Sequence, residues 1–103
     1  MGGKLVSVTV LSEYHCREGQ VDEFIKLAHQ MLPAARRSQG CNNIYFTISQ
    51  TNERHVILIG VWNSRIDHQN FIQHQADSGI LMTTQKLLEA FPAHAYLSNL
   101  DDF

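Results

Sequence analysis

Trp62, His74, His94 and Tyr96 are the side chains of this sequence best suited to hold a flat aromatic guest and move a proton on it. An indole holds such a ring by offset stacking, which adds to plain burial. An imidazole titrates near neutral pH and can take the proton of a phenol. His94 and Tyr96 alternate along one strand, so they share a face and can bind a polar group of a guest together. His74 and His94 are both candidate bases. His68, six residues before His74, lies on a different helical face and reads as surface. Trp62 closes the apolar run "HVILIGVW", where a strand hands over to the polar helix that carries His68 and His74. That corner can form a cavity mouth with the helix as its lid, and the break at "QADSG" would let the lid move.

The rest of the sequence narrows the chemistry by exclusion. The six histidines (His15, His29, His55, His68, His74 and His94) form no HExxH or other tight ligand pair, and Cys16 and Cys41 are far apart. No metal site is expected, and two free, partly buried thiols are. No glycine-rich loop follows a strand, so a nucleotide cofactor is not expected either. The formal net charge of −2 comes from scattered charges, which gives no electrostatic case for nucleic acid. No apolar run approaches the roughly 20 residues of a membrane span. "MGGKLVSV" lacks the apolar core of a signal peptide, which makes a cytoplasmic protein the default. At 103 residues the chain is expected to form one domain, with its core over about residues 5–98. A chain this short buries roughly two-thirds of its unfolded surface, so burial between subunits would help it.

The elements that must position these residues follow from periodicity. Residues 4–16, "KLVSVTVLSEYHC", alternate as a strand. After Gly19, the residues Val21, Phe24, Leu27, Ala28, Met31 and Leu32 recur at helical spacing. Pro33 should kink this helix or start its last turn. Gly40 suits its C-terminus, with Arg36 and Arg37 complementing the helix dipole. Residues 41–50 and "HVILIGVW" make a hairpin. Asn63 or Ser64 caps a short helix to about Gln75. Ile80, Leu81, Thr84, Leu87, Leu88 and Phe91 form one face of a further helix, which Pro92 stops. "AHAYLS" is a last strand. The order is that of the α+β, ferredoxin-like βαββαβ fold, with a four-stranded antiparallel sheet.

Alternation within the strands assigns Val6, Val8, Val10, Ile44, Phe46, Ile48, Ile57, Ile59, Val61, Ala95 and Leu97 to one side, expected to meet the helices. The other side would hold Thr9, Leu11, Glu13, Tyr45, Thr47, Val56, Leu58, Gly60, Trp62, His94 and Tyr96, among others. Apolar walls with a few hydroxyls and an imidazole have the character of a ligand cavity. Thr9, Tyr45, Thr47, Leu58, Gly60 and Tyr96 are therefore candidate substrate-binding residues. An open sheet face, half covered by a second subunit, has the same composition.

"REGQVDEFIKLAHQMLPAARRSQGCNNIYF" resembles the first half of an antibiotic biosynthesis monooxygenase domain. Gly19 before the first helix, Phe24 in its first turn and the Gly40-Cys41 pair opening the second strand match that family. "VILIGVWNS", with Trp62 at the strand end, followed by "FIQH" with His74, resembles the second half, so the likeness runs over roughly residues 5–98. The resemblance implies a homodimeric α+β barrel that joins two sheets and keeps a pocket between the sheet and helices of each subunit. It implies oxidation of a small aromatic quinol, anthrone or related polyphenol by dioxygen, with no metal or flavin. Many members carry Glu where this chain has Gly60, and many place the histidine about one helical turn nearer the tryptophan than His74. An inserted turn, or the use of His68, would account for the second departure.

The expectation is thus a cofactor-independent monooxygenase in which Trp62 and Tyr45 hold a ring and His74 or His94 takes its proton. Haem degradation, processing of a small signalling molecule and a non-catalytic binding dimer are the alternatives. Ser12 stands where haem-degrading relatives use Asn, and Gly60 in place of Glu favours binding without turnover.

Overall fold

The computed structural model describes residues 7–101. Its elements are β1 (Val8–His15), α1 (Val21–Arg36), β2 (Cys41–Ile48), β3 (His55–Trp62), α2 (Arg65–Asp77), α3 (Ile80–Gln85) and β4 (Ala93–Ser98). The four strands form one antiparallel sheet in the order β2-β3-β1-β4. This is the ferredoxin-like α+β arrangement that the element order predicts. Val6, counted with the core from its alternation, lies outside the described residues, as does the start expected for the first strand.

The ends of the elements have local causes. Asp22 and Glu23 open α1 and Arg36 closes it, each with the sign the helix dipole favours. Pro33 is accommodated inside the helix. Arg36 also reaches across to β2, where its Nε and Nη2 donate to the Ile44 carbonyl at 3.3 and 3.0 Å. Gly40 then turns the chain with φ +83°, and a side chain there would run into the carboxyl of Asp67 on α2. Ser64 is the N-cap of α2, accepting from the Asp67 amide at 3.1 Å and donating to its carboxylate at 2.9 Å.

Two sequence expectations need correction. The helix expected to run on to Phe91 ends at Gln85. Residues 87–89 leave it to pair with the end of β1: the Arg17 amide donates to the Leu87 carbonyl, and the Glu89 amide to that of His15, both at 2.8 Å. Leu88 thereby becomes a fully buried plug beside Cys16, Phe24 and Val56. The second correction concerns the faces of the sheet. Val10 lies opposite Gly60 and Tyr96, Ser12 opposite Leu58 and His94, and Ile44 opposite Gly60. Directly paired residues share a face. Val56, Leu58, Gly60, Trp62, His94 and Tyr96 therefore stand with Val10 and Ile44 on the helix-covered face. Ile57, Ile59, Val61, Ala95 and Leu97 stand with Thr9, Leu11 and Tyr45 on the open one. The alternation inside each strand is as expected, but β3 and β4 are turned over relative to the expected grouping.

The core has two centres on the covered face. One gathers Val10, Leu32, Ala35, Ile44 and Trp62, and the other Cys16, Phe24, Val56 and Leu88. Both cysteines are free, Cys16 fully buried and Cys41 partly so, and burial raises both thiols above their ordinary range. Protonated thiols are poor nucleophiles, so both act as packing groups.

Candidate active site

Between the covered face of the sheet and the three helices lies a cavity of about 660 Å³. That is the size of small-molecule sites, typically about 300–1,000 Å³. The sheet contributes Val10, Ser12, Tyr14, Ile44, Leu58, Gly60, Trp62 and His94, while α1 supplies Phe24, Leu27, Met31 and Leu32. His68, Phe71 and Ile72 close it from α2. The walls are mostly apolar, and Ser12, Tyr14, His68, Gln75 and His94 are polar groups that line it from the sheet and α2.

Trp62 is buried to 2% exposure and organises this wall. Its ring centroid lies 5.5 Å from Phe71, tilted, and 5.3 Å from His68, edge to face. Gly60 makes room for it: a Cβ at that position would stand 2.7 Å from the indole Nε1 and 3.2 Å from Cδ1. The glycine is therefore what allows the indole to lie over the strand beside the cavity.

Two imidazoles form the polar pole. His68 and His94 have ring centroids 5.3 Å apart, edge to face. His68 Nδ1 bonds the Tyr96 hydroxyl at 2.8 Å, and His94 Nδ1 bonds Ser12 Oγ at 2.7 Å. Each hydroxyl can donate or accept, so either tautomer of each ring is satisfied. The Nε2 of each ring has no protein partner among the described residues, and no buried polar side-chain atom among them is left unsatisfied. Those two nitrogens are thus the groups available to a ligand. Burial, with a smaller contribution from His94, pulls His68 down to about 4, and burial lowers His94 as well. Both rings are neutral at pH 7 and able to accept a proton. Tyr14, tilted against Phe24 with centroids 5.2 Å apart, is pushed up to about 12 by burial, against the pull of a hydrogen bond with Ser12. It stays a neutral phenol. The guanidinium of Arg65 lies 4.4 Å above the Tyr96 ring and fixes the far side of the chain Tyr96–His68–His94–Ser12.

The cavity brings together Trp62, His94, Leu58 and Gly60 of the residues expected from sequence, with Tyr96 directly behind His68. His74 lies elsewhere. It is exposed on α2, beside a shallow groove with Ser38, Gln39, Asp67 and Asn70. Thr9, Tyr45 and Thr47 are on the open face of the sheet. Tyr45 is 57% exposed, the Thr9 hydroxyl donates to Asn99 Oδ1 at 2.6 Å, and that of Thr47 to the Ile57 carbonyl at 2.6 Å. His68, which the sequence offered only as a substitute for the displaced histidine, and Ser12, considered only as the position of the haem-degrading relatives' Asn, were not among the residues assigned to the site. The signal for His68 was its spacing from Phe71, Ile72 and Gln75, the i, i+3, i+4, i+7 stripe of an inward helix face. His74 falls off that stripe.

The antibiotic biosynthesis monooxygenase family matches residues 7–76, which include Trp62 and His68 and stop before His94 and Tyr96. A search of curated protein sequences finds no match. Among solved structures the chain is similar to a conserved protein from Methanosarcina mazei Go1, with a TM-score of 0.82 and 13% identity over 92% of this chain and 94% of that one. It is similar to Rv0793 from Mycobacterium tuberculosis, with a TM-score of 0.77 and 20% identity over 93% and 97%. An antibiotic biosynthesis monooxygenase gives a TM-score of 0.80 and 11% identity over 91% and 99%. At such identities these likenesses establish the fold. The family match covers most of the chain, from the first strand through α2, and by it the protein belongs to the antibiotic biosynthesis monooxygenase family.

Proposed function

We propose that this protein is a cofactor-independent monooxygenase that oxidises a small aromatic quinol with dioxygen inside the cavity. The observation that carries the reading is the pair of neutral imidazoles, each held at Nδ1 by a hydroxyl, set beside Trp62 in an apolar chamber of about 660 Å³. The ring stacks against Trp62 and Phe71, and its hydroxyl meets the Nε2 of His68 or His94. His68 takes the place first assigned to His74, and His94 keeps its own.

Dioxygen is a triplet and reacts slowly with a closed-shell phenol. The phenolate is a far better electron donor, so removal of the phenolic proton by an imidazole starts the reaction. One electron passes to dioxygen, giving a semiquinone radical and superoxide. Their recombination at a ring carbon forms a peroxide. Cleavage of its O–O bond leaves one oxygen on the ring, and the other departs as water with the two hydrogens the quinol has lost. The balance is quinol plus dioxygen to hydroxyquinone plus water. A histidine held low in the free protein is a weak base, but the phenolate it creates is an anion that stabilises the new imidazolium across a dry cavity.

The open sheet face carries Leu11, Ile57, Ile59 and Val61 with the exposed Tyr45 and Leu97. We assign this apolar stretch, which leaves out the His15–His55 end of the strands, to the contact between two copies in a homodimer, as the α+β barrel of the family implies. The chain then works as a single domain in the cytoplasm. Among the described residues no helix is long and apolar enough to cross a membrane.

Oxygen uptake measured with a panel of quinols and anthrones tests the activity. A rate above the spontaneous one, lost in His68→Ala and in Trp62→Ala, is expected. Ligands that raise the melting temperature without oxygen uptake would instead make the chain a binding protein.

A further inference from the structure

We propose that Glu13, His15 and His55 form a binding site for a late first-row divalent cation, with zinc as the type case, on the open face of the sheet. The three donor atoms lie within 4.8 Å of one another. The arrangement follows from strand geometry. Alternation puts Glu13 and His15 on one face of β1, and antiparallel pairing sets His55 of β3 directly opposite His15. The two imidazoles stack with centroids 4.3 Å apart and planes 16° apart, and His55 Nε2 lies 3.0 Å from Glu13 Oε1.

The charge balance points to a cation. The cross-strand partners of Glu13 are Ile57 and Ala93, so no lysine or arginine stands opposite it. The nearby Arg54 guanidinium is turned to Glu89 at 3.4 Å. One carboxylate and two imidazoles suit zinc, nickel or copper better than magnesium or calcium, which prefer oxygen alone. Tetrahedral ligands at about 2.0–2.1 Å from an ion stand roughly 3.3 Å apart, so closing the site takes an approach of the donor atoms by about 1.5 Å or less together with a rotation of the stacked rings that turns their nitrogen lone pairs onto one ion. Three protein ligands leave a fourth position for water. The ion would clip β1 to β3 on the side of the sheet away from the cavity, so its binding does not depend on the quinol reaction.

Calorimetric titration of the metal-free full chain with zinc tests this. Saturable binding of a single ion per chain is expected. His15→Ala, His55→Ala and Glu13→Gln should each weaken it by about tenfold or more, judged by the loss that even outer contacts of a metal site cause. His29→Ala and His74→Ala should leave it unchanged. Cobalt used as a spectroscopic probe should develop visible bands of nitrogen ligation in the wild type and not in a His15→Ala/His55→Ala double variant. Circular dichroism and the melting temperature of each variant establish that it is folded. Absence of saturable zinc binding, or binding that survives in the double variant, overturns the proposal and leaves the cluster a histidine–carboxylate hydrogen bond.

Discussion

A histidine pair lies against each face of the sheet, and the two pairs have opposite surroundings. His68 and His94 meet between α2 and the sheet, each tied by Nδ1 to a hydroxyl, with no carboxylate bonded to them among the described residues. His15 and His55 lie on the open face, stacked on one another with a carboxylate within hydrogen-bond distance. Burial without a counter-charge favours the neutral ring, which is what a proton acceptor in a dry cavity needs. Partial exposure beside a carboxylate suits a metal ion. The same residue type is thus prepared for acid-base work on one face and for cation binding on the other, through its neighbours alone.

The strongest way to break this contrast is to delete one member of each pair. His68→Ala should lower kcat/KM for quinol-dependent oxygen uptake by about 10²–10⁴-fold, the usual range for a positioned proton acceptor. His55→Ala should leave that rate within about twofold. Equal losses in the two variants would show that the pairs do not differ in the way argued. Removal of the wall on which the buried pair rests has a comparable effect on stability. Trp62→Ala should cost about 3–5 kcal/mol by denaturant unfolding, as expected for a large buried aromatic.

The buried pair also predicts how stability depends on pH. The folded-state pKa of His68 is about 4, below the ordinary value of 6.5. Between those values the unfolded chain binds a proton that the folded protein refuses. Stability is therefore complete above about pH 6.5 and falls as the pH drops toward 4, by up to about 3 kcal/mol from this residue. Unfolding curves from pH 7 to 4 should show a shallower slope in His68→Gln than in the wild type, whereas the same slope in both would remove the effect.

Gly60→Ala should cost about 1–3 kcal/mol, because the new methyl meets the indole edge of Trp62 and forces it to move. A changed Trp62 fluorescence maximum and an altered ranking of quinols should accompany it; unaltered emission would mean that the indole does not rest on the glycine. The smallest effect belongs to the exposed surface. Arg54→Ala removes the ion pair to Glu89 and should change stability by less than about 1 kcal/mol.

Much of the site was legible along single strands. Trp62, Leu58 and Gly60 follow from the alternation of β3, and His94 with Tyr96 from that of β4. What could not be read was which face of one strand joins which face of the next. β3 is apolar on both sides, with Val56, Leu58 and Trp62 on one and Ile57, Ile59 and Val61 on the other. Hydrophobicity cannot choose between them. Thr9, Tyr45 and Thr47 were drawn into the candidate site for that reason alone. The choice of His74 over His68 has a similar cause, since α2 is polar nearly all round and its inward stripe is short. The Glu13–His15–His55 cluster was invisible for a different reason: its two histidines are forty positions apart and meet only through the register of β1 and β3.

Periodicity and the order of elements by themselves determined the ferredoxin-like topology, the turns at Gly19 and Gly40, and the corner on which Trp62 sits. These are local consequences of backbone sterics and of side-chain spacing within one element. Only the tertiary structure decided that His68 faces His94, that Gly60 lies under the indole, and that one histidine pair is buried while the other meets solvent. Those outcomes depend on strand register and helix placement, which follow from the packing of all the elements at once.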